Sequence, residues 1–176
     1  MAEDAQGRLW IATIGGLFRR LPSGAVQSLV GLAPPGAVHA MLLDGTNRLW
    51  LGGTGGLAGI RIDADPPQVT ATFTHAGGRP LAPVDSIYRS SDGTLWIGSL
   101  GLIRFRFDAP VAGERFRRYP SSEILGTHSI SAITEDVEAN LWLSVQPLGA
   151  ARIARERIYA YSKADGLESQ NCAGAV

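Results

Sequence analysis

The residues best suited to chemistry are few and scattered along the chain. His39, His75 and His128 are its three histidines. Brought together with a carboxylate they would supply the nitrogen and oxygen donors of a zinc site. Their placement gives no such convergence, since His39 falls in a predicted strand, His75 at a strand end and His128 in a connector. His128-Ser129 with a nearby aspartate has the ingredients of a Ser-His-Asp hydrolase, but Ser129 opens a predicted strand. Cys172 is the only cysteine, so neither an intrachain disulfide nor a zinc site built on paired cysteines is available. The string Gly52-Gly53-Thr54-Gly55-Gly56-Leu57-Ala58 contains a G-x-G-x-x-A pattern. A dinucleotide loop needs a helix after that pattern, and here a strand follows, so the string reads as a turn. No catalytic residue, cofactor ligand or metal ligand is therefore assigned. The feature left over is arginine. Arg104 and Arg106, and then Arg115, Arg117 and Arg118, alternate along neighbouring predicted strands. They make either a solvated outer edge that discourages edge-to-edge pairing or a surface for an anion or an acidic glycan.

The elements that carry these residues are set by a repeat. Trp10, Trp50, Trp96 and Trp142 stand 40, 46 and 46 residues apart, within the period of propeller blades, about 40–50 residues. Their surroundings repeat too: Gly7-Arg8-Leu9-Trp10-Ile11-Ala12, Asn47-Arg48-Leu49-Trp50-Leu51-Gly52, Gly93-Thr94-Leu95-Trp96-Ile97-Gly98 and Ala139-Asn140-Leu141-Trp142-Leu143-Ser144. An aspartate precedes each: Asp4, Asp44, Asp92 and Asp136. A glycine, Gly16, Gly56, Gly101 or Gly149, follows each, with leucine next in the first three and Ala150 in the fourth. Aspartate with glycine or asparagine favours a tight hairpin turn, because these residues tolerate positive φ or bond their own backbone. In the segment that follows, both faces are apolar. A strand of that kind belongs in a sheet covered on both sides, as a propeller blade is. The small residue two after each tryptophan (Ala12, Gly52, Gly98, Ser144) is read as room for the indole, and all four tryptophans as core.

The pattern predicts an all-β chain of four blade units, each a four-stranded antiparallel sheet, forming part of a larger propeller. The units span approximately residues 1–36, 37–83, 84–127 and 128–171, and 172–176 would begin a further blade or close on the first. Predicted strands are Val38–Leu43, Leu49–Gly52, Leu57–Ile62 and Val69–Thr74 in the second unit. In the third they are Asp85–Arg89, Leu95–Gly98, Leu102–Phe107 and Arg115–Tyr119. In the fourth they are Ser129–Thr134, Leu141–Ser144, Ala151–Ala154 and Ile158–Ser162. The first unit, beginning next to its hairpin, is expected to lack its first strand. Glycine and proline, 22 and 10 in number, fall mainly between these runs, as many short strands require.

Composition narrows the partners. Lys+Arg and Asp+Glu are both 16, a formal net charge of zero, which gives no reason to expect nucleic acid or an anionic membrane as main partner. No apolar run approaches the roughly 18–20 residues that span a bilayer, and the acidic start lacks the order of a signal peptide. Expected partners are further blades or another copy of the chain, and a small molecule or oligosaccharide.

These residues resemble the two-component regulator propeller repeat, whose pattern is an Asp-x-x-Gly turn, Leu-Trp-Ile-Gly-Thr, then Gly-Leu and an Arg/Phe-rich strand. Asp4 to Gly7, Leu9-Trp10-Ile11-Ala12-Thr13 and Gly16-Leu17-Phe18-Arg19 follow it, as do Asp92 to Ser99 and Gly101-Leu102. Asn47 and Ala139 depart from the turn glycine, and Ala150 from the leucine. The resemblance implies a ligand-sensing segment from the periplasmic or extracytoplasmic input region of a bacterial sensor kinase. Such a segment is non-catalytic by itself, with any kinase activity carried by other sequence. Propeller lyases have a similar Leu-Trp hairpin, so a lyase-like enzyme is one alternative, and a protein-interaction scaffold is another.

Overall fold

A computed structural model describes residues 1–45, 47–81, 83–109, 114–119, 125, 128–154 and 157–169. Cys172–Val176, expected to start a blade or close the first one, lies outside them. The chain is all-β. It divides into two compact units, Met1–Val84 and Asp85–Val176, and each holds two four-stranded antiparallel sheets of propeller-blade type, with strands hydrogen-bonded in sequence order.

In the first unit, sheet one contains β1 (Ala2–Glu3), β2 (Leu9–Thr13), β3 (Gly16–Arg20) and β4 (Val26–Ser28). Sheet two contains β5 (Val38–Asp44), β6 (Arg48–Gly53), β7 (Gly56–Arg61) and β8 (Gln68–Phe73). A small hairpin, β9 (His75–Ala76) with β10 (Arg79–Pro80), follows. In the second unit, sheet three contains β11 (Ser86–Arg89), β12 (Leu95–Ser99), β13 (Gly101–Phe105) and β14 (Phe116–Arg118). Sheet four contains β15 (Ser129–Glu135), β16 (Leu141–Gln146), β17 (Gly149–Ala154) and β18 (Arg157–Tyr161).

One expectation is corrected at the start of the chain. Sheet one does have a first strand, because the turn at Asp4 folds the chain back on itself. Ala2 is thereby set opposite Trp10 and Glu3 opposite Leu9, so two residues before the turn suffice to begin a ladder.

Three of the turns joining first to second strands share one geometry. Asp4 N–H bonds Arg8 O and Gly7 N–H bonds Asp4 O; the same pair of bonds joins Ser90 with Thr94 and Gly93, and Asp136 with Asn140 and Ala139. This is a three-residue loop that ends in a left-handed residue. Gly7 and Gly93 hold φ of 70° and 81°, and Ala139 takes the same place at φ 61°. A side chain there costs about 1–2 kcal/mol, partly offset by glycine's greater freedom in the unfolded chain. Ala139→Gly is therefore expected to stabilise the protein by roughly 0.5–1 kcal/mol, seen as a higher urea midpoint with an unchanged slope.

Packing within each unit follows the same scheme. In the first, Trp10 and Leu17 of sheet one pack on Val38, Leu49, Leu51 and Ile60 of sheet two. In the second, Leu102 of sheet three packs on Ile130, Leu141, Leu143 and Ile153 of sheet four, with Trp96 and Tyr119 against that cluster. In sheet three the small residue two after the tryptophan serves this packing. A Cβ on Gly98 would strike Ser86 Oγ and Ile130 of sheet four, and Ser86 Oγ donates to Ile130 O at 2.8 Å. At Gly98 the room is taken by the neighbouring sheet's first strand.

Candidate functional site

Each tryptophan is held by the hairpin before it. Trp10 Nε1 donates to Asp4 Oδ2 at 2.7 Å, Trp50 Nε1 to Asp44 Oδ2 at 3.1 Å, and Trp142 Nε1 to Asp136 Oδ2 at 2.8 Å. In sheet three the acceptor is Ser90 Oγ at 3.1 Å. Asp92 stands two residues further along, and Ser90 Oγ passes the bond on to Asp92 Oδ1 at 2.6 Å. The acceptor lies six residues before the tryptophan every time, and Asp92 lies only four before Trp96; that offset is the signal in the sequence for Ser90.

These bonds set the charge state of the turn carboxylates. The Asn140 side chain and the Trp142 indole hold Asp136 at a pKa of about 2. Burial pushes Asp4 up, but bonds from Trp10, Arg8 and Gln6 outweigh it and leave the carboxyl below its ordinary value. The Ser90 hydroxyl and the Thr94 amide lower Asp92, with help from the charge of Arg104. A carboxylate whose folded pKa is depressed contributes stability above its unfolded pKa and loses it as pH falls through the folded one. Stability is therefore expected to decline between about pH 4 and about pH 2, and thermal melts across that window should show a shallower decline in Asp136→Asn.

Trp10 and Trp50 are fully buried, as core residues should be, but Trp96 and Trp142 are half-buried. That corrects the expectation for the last two. Trp142 stacks on Tyr161, ring centres 5.6 Å apart. Trp96 meets Tyr119 at 6.1 Å and 57°, and this pair forms one wall of a cleft between sheets three and four, about 460 Å³ in volume. Arg104, Arg117 and Arg118 line it as well, together with Asp92, Glu135 and Ser91 and the apolar side chains of Leu141 and Ile153. Register places Arg104 opposite Trp96 on one side and opposite Arg117 on the other. Glu135 is fixed by Ser91, whose amide and hydroxyl donate to it at 2.7 and 2.9 Å. Arg118 Nη1 donates to Leu100 O at 3.1 Å.

Arg104, Arg117 and Arg118 are thus brought together, whereas Arg106 and Arg115 do not line the cleft. Sequence reasoning did not single out Tyr119, Glu135 or Ser91, which come together only through packing of one sheet on the next. Of the histidines, His39 lies in β5, His75 in β9 and His128 ahead of β15. Among the described residues no group of three or more His, Cys, Asp and Glu is placed to hold a metal ion. The Gly52–Ala58 string is the β6–β7 hairpin and no helix follows it. Gly16, Gly56, Gly101 and Gly149 each open a third strand with positive φ.

Comparison with known proteins fits this geometry. Residues 78–101 match the family model for the two component regulator propeller. The match covers that stretch of the chain, which carries Trp96 and the turn before it. The chain is similar to the extracellular domain of a protein described as a hybrid two component system from B. thetaiotaomicron. The two are 26% identical with a TM-score of 0.72, over 94% of this chain and 23% of that one. It is similar in fold to PorZ, a surface component of the type-IX secretion system of Porphyromonas gingivalis. There the figures are 16% identity and a TM-score of 0.73, over 97% of this chain and 28% of that one. The fold is shared with virginiamycin B lyase from Staphylococcus aureus as well, at 15% identity and a TM-score of 0.65, over 92% of this chain and 54% of that one. The chain thus spans about a quarter of the first two proteins and about half of the third. No curated protein sequence matches it. Among the described residues, no helix is long and apolar enough to cross a membrane.

Proposed function

We propose that this propeller segment belongs to the extracellular input region of a bacterial two-component signalling protein, and that it binds a small ligand in the cleft between sheets three and four without transforming it. The observation that carries this reading is the cleft itself. Its volume of about 460 Å³ falls in the range of small-molecule sites, about 300–1,000 Å³. It joins an aromatic wall to arginines, carboxylates and hydroxyls, the combination that grips a polar ring by one face and its substituents by their edges. The likeness to an extracellular two-component domain supports the setting.

A thermal-shift screen of small oligosaccharides and organic acids tests it. A ligand that binds the folded state alone at one hundred times its Kd adds about 2.7 kcal/mol of stability. At least one compound should raise the melting temperature in the native chain and lose that effect in Tyr119→Ala. A screen with no shift, or a shift that survives Tyr119→Ala, would remove the cleft from consideration.

A further inference from the structure

The gap between sheets one and two contains a built-in counterpart of the cleft. Arg19 is to Trp10 what Arg104 is to Trp96: the residue directly opposite on the third strand. Arg19 is almost entirely buried, with its Nε and Nη2 both bonded. Its Nε and Nη2 donate to Gln27 Oε1 at 2.9 and 2.6 Å, and Nη2 also donates to Asp65 Oδ1 at 2.9 Å. Asp65 comes from the connection between β7 and β8, so the second sheet of the pair reaches across and supplies a carboxylate to the arginine of the first.

Among the described residues, sheets three and four lack these partners at the same register. Opposite Arg104 on β14, where Gln27 would be, stands Arg117. Two like charges directly opposed on adjacent strands repel one another. Arg104 Nε is buried and has no hydrogen-bond partner among the described residues, a costly state for a cationic donor. The carboxylates nearby are already engaged, Asp92 by Ser90 and Thr94 and Glu135 by Ser91. The turn between β17 and β18 is also far shorter than its counterpart. Ala154 pairs with Arg157 across two residues, whereas six residues separate Arg61 from Gln68.

We infer that the cleft binds a carboxylate carried on a ring, with the ligand's carboxylate bonded to Arg104 as Asp65 is bonded to Arg19, and the ring lying against Trp96 and Tyr119. This rests on the proposed ligand-binding role of the cleft and gives that ligand its chemistry. Arg117 adds a second positive charge beside the carboxylate, and the planar arginine fork suits two-point contact with its oxygens.

Isothermal titration with benzoate and glucuronate, each against its uncharged methyl ester, tests the inference. The acids are expected to bind at least about tenfold more tightly than the esters, the size of one charge-assisted hydrogen bond, with a preference that shrinks as salt is raised. Arg104→Gln should abolish the preference and Arg104→Lys should keep part of it. Arg117→Gln, which copies the Gln27 arrangement, should raise the melting temperature of the free protein while weakening the acids, a coupling that a purely structural arginine would not produce. Acids and esters of equal affinity, or a preference that survives Arg104→Gln, would overturn the inference. If the esters still bind in a Tyr119-dependent way, the ligand-binding role stands and the carboxylate assignment alone falls.

Discussion

Replacing Trp50 by alanine is expected to cost about 3–5 kcal/mol, the usual loss for truncating a fully buried large aromatic. Trp50 is 0% exposed. Its ring lies over Gly59, the residue opposite it on β7, and a Cβ added at Gly59 would come within 2.7 Å of that ring. The other sheets place an arginine at this register, Arg19, Arg104 or Arg152; sheet two places nothing there, and the indole fills the space. Truncation would leave a void of indole size bounded by strand backbone that cannot collapse inward, and would remove the donor that occupies Asp44. Urea unfolding of Trp50→Ala against the native chain measures the loss. Trp96→Ala should lose clearly less, since Trp96 keeps one side open to the cleft. Equal losses at the two positions would mean that the cleft is closed in solution.

The sheets were legible because their signals are local. Alternation along Leu102 to Phe107, or in the repeated Leu-Trp segment, depends on the period of a strand alone, and the hairpins follow from turn chemistry within four or five residues. The observed strands of sheets two, three and four agree with the expected ones to within about two residues. The β9–β10 hairpin escaped notice because its strands have two residues each, too few to show a period. The cleft was legible only in part. Arg104 and Arg117 were singled out by their alternation, but not their juxtaposition with Trp96 and Tyr119, which depends on how sheet four packs on sheet three. The contrast between Arg19 and Arg104 was hidden for the same reason: Asp65 lies 46 residues from Arg19 in the chain, and no local pattern links them. The half-exposure of Trp142 shows the limit from the other side. A repeat position fixes the strand and the direction of the side chain, whereas burial depends on what stands against that face.

Asp4→Ala should be the most damaging change outside the apolar core, at about 3 kcal/mol, because it strands several donors at once. The Asp4 side chain is 0% exposed. Oδ1 accepts from the amides of Gln6 and Arg8, both at 3.0 Å, while Oδ2 accepts from Arg8 Nε at 2.6 Å and Trp10 Nε1 at 2.7 Å. Arg8 keeps its Nη2 bonds to Gln6 Oε1 and Ile62 O, so its share of the loss is the smaller one. The indole N–H of Trp10 cannot turn toward water, because Trp10 is fully buried, and an unmet buried donor costs about 1–3 kcal/mol. The two amides hold the turn that brings β1 opposite β2, so its loss should release Ala2 and Glu3 from their ladder as well. Asp4→Asn separates these contributions. It retains an oxygen for one side of the site but places an amide donor where Oδ1 or Oδ2 accepted, so it should fall between the native chain and Asp4→Ala in urea melts. Hydrogen exchange at Trp10 Nε1 gives the residue-level readout: protection present in the native chain, reduced in Asp4→Asn and lost in Asp4→Ala. Full protection in Asp4→Ala would show that another acceptor serves the indole, and that the aspartate acts through the turn alone.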